Sequence, residues 1–122
     1  MSLIVIIEDN EQNARMASKL LKHAGYQVIV AQDGEVGLTT VFENHPDLIL
    51  LDLGLPDIDG QTVISLIKQQ PEHQHTPIIA FTAWPEATAH SIAQAYGCDG
   101  VIIKPINTRT FAEQVTAYIK TE

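Results

Sequence analysis

The sequence has little cysteine, little basic charge and no long apolar segment. Its single cysteine, Cys98, excludes an internal disulfide, so we expect a reducing, cytoplasmic environment. Seven lysines and arginines stand against 15 aspartates and glutamates, a formal net charge of −8, which argues against nucleic acid as a direct partner. No apolar run approaches the ~20 residues of a membrane-spanning helix, and the short apolar start lacks the basic lead of a signal peptide. We therefore expect no membrane partner.

The length and composition are typical of one packed domain. The chain has 122 residues, of which 45% are hydrophobic, and this suits a single core. We therefore predict one domain over residues 1–122. Five short runs rich in Val, Ile and Leu, most of them without polar alternation, are typical of strands buried on both faces; these runs are Leu3–Ile7, Val28–Ala31, Leu48–Leu51, Ile78–Phe81 and Val101–Ile103.

Segments with helical spacing separate the apolar runs and follow the last one. Asn10 is a suitable N-cap for the first helix, and Gly25 is a suitable residue just beyond its end. The second helix is predicted to turn Val36, Thr40 and Val41 inward. The five predicted helices begin near Glu11, Asp33, Asp59, Pro85 and Asn107 or Thr108.

Strict alternation of strand and helix predicts an α/β fold with one parallel sheet covered on both faces. The right-handed crossover rule leaves few topologies, and the commonest for five strands is the doubly wound, flavodoxin-like (βα)5 order 2-1-3-4-5. In that order the first and third strands are neighbours. Glu8 and Asp9 follow the first strand and Asp52 follows the third, so we predict that these three carboxylates meet in one pocket.

The fourth and fifth predicted strands bring Thr82 and Lys104 to the same edge. Carboxylates at close range favour a hard, oxygen-seeking cation such as Mg²⁺. Asp52 is suited to act as a nucleophile toward phosphorus, forming an acyl phosphate. Lys104 and Thr82 are suited to bind phosphoryl oxygens, and Gly54 is placed to offer its backbone carbonyl to the metal.

These residues, taken together, resemble the receiver domain of response regulators in two-component signalling, the CheY-like superfamily. The matching segments are Glu8-Asp9, Asp52, Leu55-Pro56 with Asp59-Gly60, Thr82-Ala83 and Lys104-Pro105. The resemblance implies that Asp52 is the phosphoacceptor, Thr82 the switch hydroxyl and Lys104 the phosphoryl-binding amine. It also implies a Mg²⁺ site with direct ligands from Asp9, Asp52 and the Gly54 carbonyl, and with Glu8 acting through water.

The resemblance further implies a cytoplasmic signalling domain rather than a conventional enzyme, although receivers assist their own phosphorylation and dephosphorylation. The implied partners are a histidine kinase or histidine phosphotransfer protein as donor, and a downstream effector or a fused output domain. The implied output surface is the face of the fourth helix, fifth strand and fifth helix, and a homodimer through this face is a further implied partner. Val101 replaces the aromatic residue usual in the family at that position, and Trp84 is unusually large for its position.

Two other functions are compatible with parts of this pattern. A pseudo-receiver would bind partners without phosphorylation, but that class typically loses an acid or the lysine, and this chain keeps them all. A metal-dependent phosphatase of the haloacid-dehalogenase type needs a second aspartate two residues after the nucleophile, where this sequence has Gly54. The sequence leaves open whether the domain stands alone or belongs to a longer regulator or hybrid kinase.

Overall fold

Five parallel strands form one sheet in the computed structural model, which describes residues 2–119. The spatial order is β2-β1-β3-β4-β5, so the predicted flavodoxin-like fold is confirmed. The strands are β1 (Leu3–Ile7), β2 (Gln27–Ala31), β3 (Leu48–Leu51), β4 (Ile78–Thr82) and β5 (Gly100–Ile103).

Helices connect successive strands and cover both faces of the sheet. They are α1 (Glu11–His23), α2 (Gly34–Asn44), α3 (Gly60–Lys68), α4 (Glu86–Tyr96) and α5 (Phe111–Ile119), with a short 3-10 helix at Pro71–His73. The predicted ends of α1 are confirmed, because the Asn10 side chain accepts a hydrogen bond from the backbone N–H of Asn13 and Gly25 has φ 102°. Within residues 2–119, no helix has the length and apolarity that crossing a membrane requires.

The core lies on both sides of the sheet because the central strands are buried on both faces. In β1, Val5 and Ile7 pack toward α2 and α3, whereas Ile4 and Ile6 pack toward α1 and α5. Neighbouring residues therefore point to opposite faces, and both faces are apolar. Polar side chains are thus largely excluded from the strands and concentrate at the strand ends.

The predicted inward stripe of α2 is wrong at Val36. That side chain is 48% exposed, and the buried positions are Gly34, Gly37 and Val41. The helix lies so close to β1 that a Cβ at Gly37 would be 2.7 Å from Ile7 Cδ1. Glycine therefore occupies the buried side, because the helix backbone itself contacts the strand. A prediction from the spacing of hydrophobic residues does not detect such a contact.

The start of α4 lies near Pro85 as predicted, since the helix begins at Glu86 with Pro85 as its N-cap. The start of α5 differs from the prediction. α5 begins at Phe111 rather than near Asn107 or Thr108. A turn precedes it, in which the Asn107 side chain accepts from the Arg109 N–H at 2.9 Å, and the Asn107 carbonyl accepts from the Phe111 N–H at 2.9 Å. Asn107 thus lies in the turn that precedes α5 rather than at the start of the helix.

Candidate functional site

The sheet register brings the acidic residues of β1 and β3 to one edge. Ile7 is paired with Leu51, and the Asp52 N–H donates to the Ile7 carbonyl at 2.9 Å. The residues that follow these paired positions are Glu8 and Asp52, so parallel pairing places their side chains side by side. Both are buried, at 1% and 8% exposure.

Glu8, Asp9 and Asp52 form a cluster of three carboxylates. One oxygen from each lies within 4.8 Å of the others, and Asp9 is exposed where the other two are buried. The Glu8 carboxylate accepts from the Asn10 N–H at 3.0 Å, and that of Asp52 accepts from the Gly54 N–H at 2.9 Å. The cluster is thus held by backbone donors and open to solvent on one side, and its all-oxygen donor set fits a hard divalent cation such as Mg²⁺.

Lys104 supplies the positive charge of the pocket. It follows β5, and its N–H donates to the Thr82 carbonyl at 2.8 Å. Its Nζ forms an ion pair with Glu8 Oε1 and lies 3.8 Å from Asp52 Oδ1, and the side chain is only 10% exposed. One ammonium faces three carboxylates, so the pocket keeps an excess of negative side chains.

The pKa of Glu8 is raised from 4.5 to about 7. Burial is the main cause and the neighbouring Asp52 adds to it, whereas Lys104 and the Asn10 N–H oppose the rise. The lysine therefore only partly offsets the cost of removing the Glu8 charge from water. A bound cation would favour the ionised form.

Thr82 ends β4 at the same edge and is 2% exposed. Its Oγ1 accepts a hydrogen bond from the Trp84 N–H at 3.1 Å. A hydroxyl that accepts in this way keeps its own proton for donation. Trp84 and Val101, the two departures from the family pattern, are both half-buried against the core on the α2, α3 and α4 side of the sheet.

The loop after β3 is tied to α2 by Asp57. Its carboxylate accepts from the N–H groups of Gly34 and Glu35 at 2.9 and 3.0 Å, and these two bonds are the main reason that its pKa lies below 3.8. Asp59 caps α3 by accepting from the Gln61 N–H. Neither belongs to the carboxylate cluster, so Asp57 serves to hold the loop and Asp59 to cap the helix.

Sequence reasoning missed one contact in this pocket. The Lys104 Nζ lies 4.8 Å from the centroid of the Phe81 ring, a distance at which a cation is attracted to an aromatic face. Phe81 directly precedes Thr82, but its identity alone does not reveal the partner, since the lysine arrives from a different strand. The Gly54 carbonyl, by contrast, stays a predicted metal ligand.

The chain was compared with known proteins. A family model described as the response regulator receiver domain matches residues 4–116. The chain is 35% identical over 116 residues to the polar-differentiation response regulator DivK of Brucella ovis, covering 95% of this chain and 94% of that protein. The solved structure of the chemotaxis response regulator CheY4 of Vibrio cholerae is similar with a TM-score of 0.90 and 25% identity, over 97% of this chain and 98% of that one. A two-component response regulator from Clostridium difficile has a TM-score of 0.89 and 27% identity, over 99% and 98% of the two chains. The chain belongs to the family of response-regulator receiver domains.

Proposed function

We propose that this chain, taken as a single receiver domain over residues 1–122, accepts a phosphoryl group on Asp52 from a phosphohistidine donor with the help of Mg²⁺. The resulting acyl phosphate switches the binding of partner proteins. The observation that carries the proposal is the convergence of Asp52, two further carboxylates and the Lys104 ammonium at one strand edge. A pocket that combines an acceptor carboxylate, a cation-binding oxygen set and a phosphoryl-binding amine suits phosphoryl transfer.

Asp52 is the nucleophile in this proposal. A carboxylate oxygen bonds to phosphorus as the phosphorus–nitrogen bond of the donor breaks, and the departing imidazole takes a proton. The Gly54 N–H, 2.9 Å from Asp52 Oδ1, orients the carboxylate. Because β3 is buried and short, the acceptor is held at a fixed place on the sheet edge.

Lys104 and Thr82 bind the incoming phosphoryl oxygens. Lys104 Nζ is already 3.8 Å from Asp52 Oδ1, so a phosphoryl group on Asp52 would compete with Glu8 for the ammonium. The Thr82 hydroxyl accepts a hydrogen bond from the Trp84 N–H and keeps its own proton, which it can donate to a phosphoryl oxygen. The ammonium and the hydroxyl would thus stabilise the negative charge that increases on the phosphoryl oxygens during transfer.

The residues present fit a divalent cation, and Glu8, Asp9 and Asp52 would hold it together with the Gly54 carbonyl. When bound, Mg²⁺ reduces repulsion between Asp52 and the phosphoryl group and stabilises charge on the transferred oxygens. Asp9 is the exposed member of the cluster and therefore the natural point of entry. Glu8 is the most buried member, and it would act on the ion through water as a further negative charge.

The phosphoryl donor is a histidine kinase or a histidine phosphotransfer protein, and the readout is a downstream effector or a fused output domain. Phosphorylation shifts an equilibrium between two arrangements of the α4, β5 and α5 surface. With Val101 in place of the usual aromatic residue, the path from Thr82 to that surface runs through Trp84. The backbone N–H of Trp84 already contacts the Thr82 hydroxyl.

Treatment with acetyl phosphate tests the proposal. Wild-type protein with Mg²⁺ is expected to gain one phosphoryl group by intact-mass spectrometry, and the chelator EDTA is expected to abolish the gain. Asp52→Asn should gain none. Asp59→Asn is the matched control, because asparagine preserves an N-cap and Asp59 lies outside the carboxylate cluster, so it should react like wild type. A wild-type protein that is never modified would favour the pseudo-receiver function instead.

A further inference from the structure

Two histidines meet at the end of the sheet opposite to Asp52. His45 ends α2 just before β3, and His73 lies in the 3-10 helix before β4, so both stand at the amino ends of strands. His45 Nδ1 is 3.3 Å from His73 Nε2, and the two rings are nearly parallel, with 12° between their planes. From the sequence, these histidines are 28 positions apart and look like unrelated polar residues.

A threonine is the partner of the second nitrogen of the His73 ring. The Nδ1 atom lies within hydrogen-bond distance, 3.0 Å, of Thr76 Oγ1, and Nε2 is the nitrogen that faces His45. His73 is 2% exposed, and its burial, with the nearby His45, lowers its pKa below 6.5. In metal-binding histidines, the second ring nitrogen is characteristically held by a hydrogen bond, which fixes the orientation of the ring.

The separation of the two nitrogens is that of two ligands on a tetrahedral metal ion. His45 Nδ1 and His73 Nε2 are 3.3 Å apart. If both bound a zinc ion through bonds of about 2.0–2.1 Å, the nitrogen–zinc–nitrogen angle would be about 107°. Adjacent ligands at a right angle would need a separation of only about 2.9 Å at the same bond length. The spacing, which here belongs to a hydrogen bond between the rings, therefore suits a tetrahedral ion such as zinc better than an octahedral one.

A cavity of about 600 Å³ borders the pair and gives an ion access. Its walls include Asp47, Glu72 and His75, all exposed. The two carboxylates attract a cation. Among residues 2–119, however, only the Glu8, Asp9 and Asp52 cluster brings three ligand atoms within 4.8 Å, so here the protein supplies two imidazoles and the cavity supplies water.

We propose that His45 Nδ1 and His73 Nε2 bind a zinc ion at this cavity, with water completing a tetrahedral site. Each of these nitrogens binds the ion through its lone pair, so the proton of the hydrogen bond between them leaves for another ring nitrogen or for solvent when the ion binds. Zinc then links the end of α2 to the segment that enters β4. The site is independent of Asp52 and of the proposed phosphorylation.

Calorimetric titration of the metal-free protein with zinc chloride tests this site. Excess Mg²⁺ and an Asp52→Asn background weaken the binding of zinc at the carboxylate cluster, whose Glu8 and Asp9 remain. The expected result is one zinc ion per chain, and cobalt in place of zinc should give the visible absorption of a tetrahedral complex. A titration that shows only weak binding without a defined stoichiometry would overturn the proposal.

His45→Asn in that background identifies the ligand. His45 has φ 51°, a conformation that asparagine tolerates well, so this variant keeps the backbone while removing the imidazole. Even the loss of a group that hydrogen-bonds a metal ligand weakens metal binding about 10- to 100-fold, so the loss of a ligand in His45→Asn should weaken zinc binding by at least about tenfold. His23→Asn, at an exposed histidine on α1, is the matched control and should bind like the parent. Equal affinity in His45→Asn and in the parent, with both folded by circular dichroism, would refute the assignment.

Discussion

Replacing Glu8 with glutamine should remove a pH dependence of stability from the metal-free protein. The Glu8 side chain is fully buried, and its pKa in the folded protein is about 7 against 4.5 when unperturbed. At 1.36 kcal/mol per pKa unit, this difference corresponds to roughly 3 kcal/mol. Glutamine keeps the shape and the carbonyl that accepts from the Asn10 N–H, but it carries no charge.

The sign of the effect follows from proton binding. Between pH 4.5 and about 7 the folded protein holds a proton on Glu8, whereas the unfolded chain has released it. The stability from this group is therefore fully present below pH 4.5 and is lost as the pH rises through about 7. His73 acts in the opposite direction, since its lowered pKa makes stability fall at acidic pH, and it is unchanged in the glutamine variant.

Urea unfolding in the presence of EDTA measures the effect, followed by circular dichroism from about pH 5 to about pH 8. The difference in unfolding free energy between Glu8→Gln and wild type should grow by roughly 2–3 kcal/mol in favour of the variant across this range. If the unfolding free energies of the two proteins changed in parallel with pH, the reasoning would be refuted, because Glu8 would then have the same pKa in the folded and the unfolded protein.

Three further perturbations have defined outcomes. Mg²⁺ at ten times its Kd should stabilise the wild type by about 1.4 kcal/mol, seen as a higher Tm, and should stabilise Asp52→Asn less; equal shifts would place the cation elsewhere. Gly37→Ala should lower the unfolding free energy by up to about 2 kcal/mol, since overpacking of about 1–3 kcal/mol against Ile7 outweighs a gain in helix propensity of about 1 kcal/mol; a Tm above that of wild type would show that Ile7 moves freely. Asp57→Ala should lower Tm at neutral pH by removing two hydrogen bonds to the start of α2, and its difference from wild type should shrink as acid protonates Asp57; a constant difference would assign the effect to packing.

The fold was predictable because the strands are buried on both faces. Runs such as Leu48–Leu51 have no polar alternation, so their limits are visible in the sequence, and the first polar residue after each run marks the sheet edge. Asp52 and Lys104 were placed in one pocket by this rule and by strand order alone. The positions of residues that directly follow buried strands can thus be predicted from the sequence.

Contacts that depend on close backbone approach or on separate loops were not predictable. Val36 fits a hydrophobic stripe, but the smallest residue, Gly37, lies against Ile7 because the helix backbone itself is in contact with the strand. The His45–His73 pair depends on where two connections end, and hydrophobic periodicity carries no information about that. Such contacts are set by packing between elements rather than by the pattern within one.

The most direct test of the central claim identifies the residue that carries the phosphoryl group. Protein treated with acetyl phosphate and Mg²⁺ is reduced with borohydride, which converts an aspartyl phosphate to homoserine, and the altered residue is located by peptide mass spectrometry. The account predicts conversion at position 52 alone, dependent on Mg²⁺. Conversion at Asp9 instead, or equal conversion in the presence of EDTA, would contradict it.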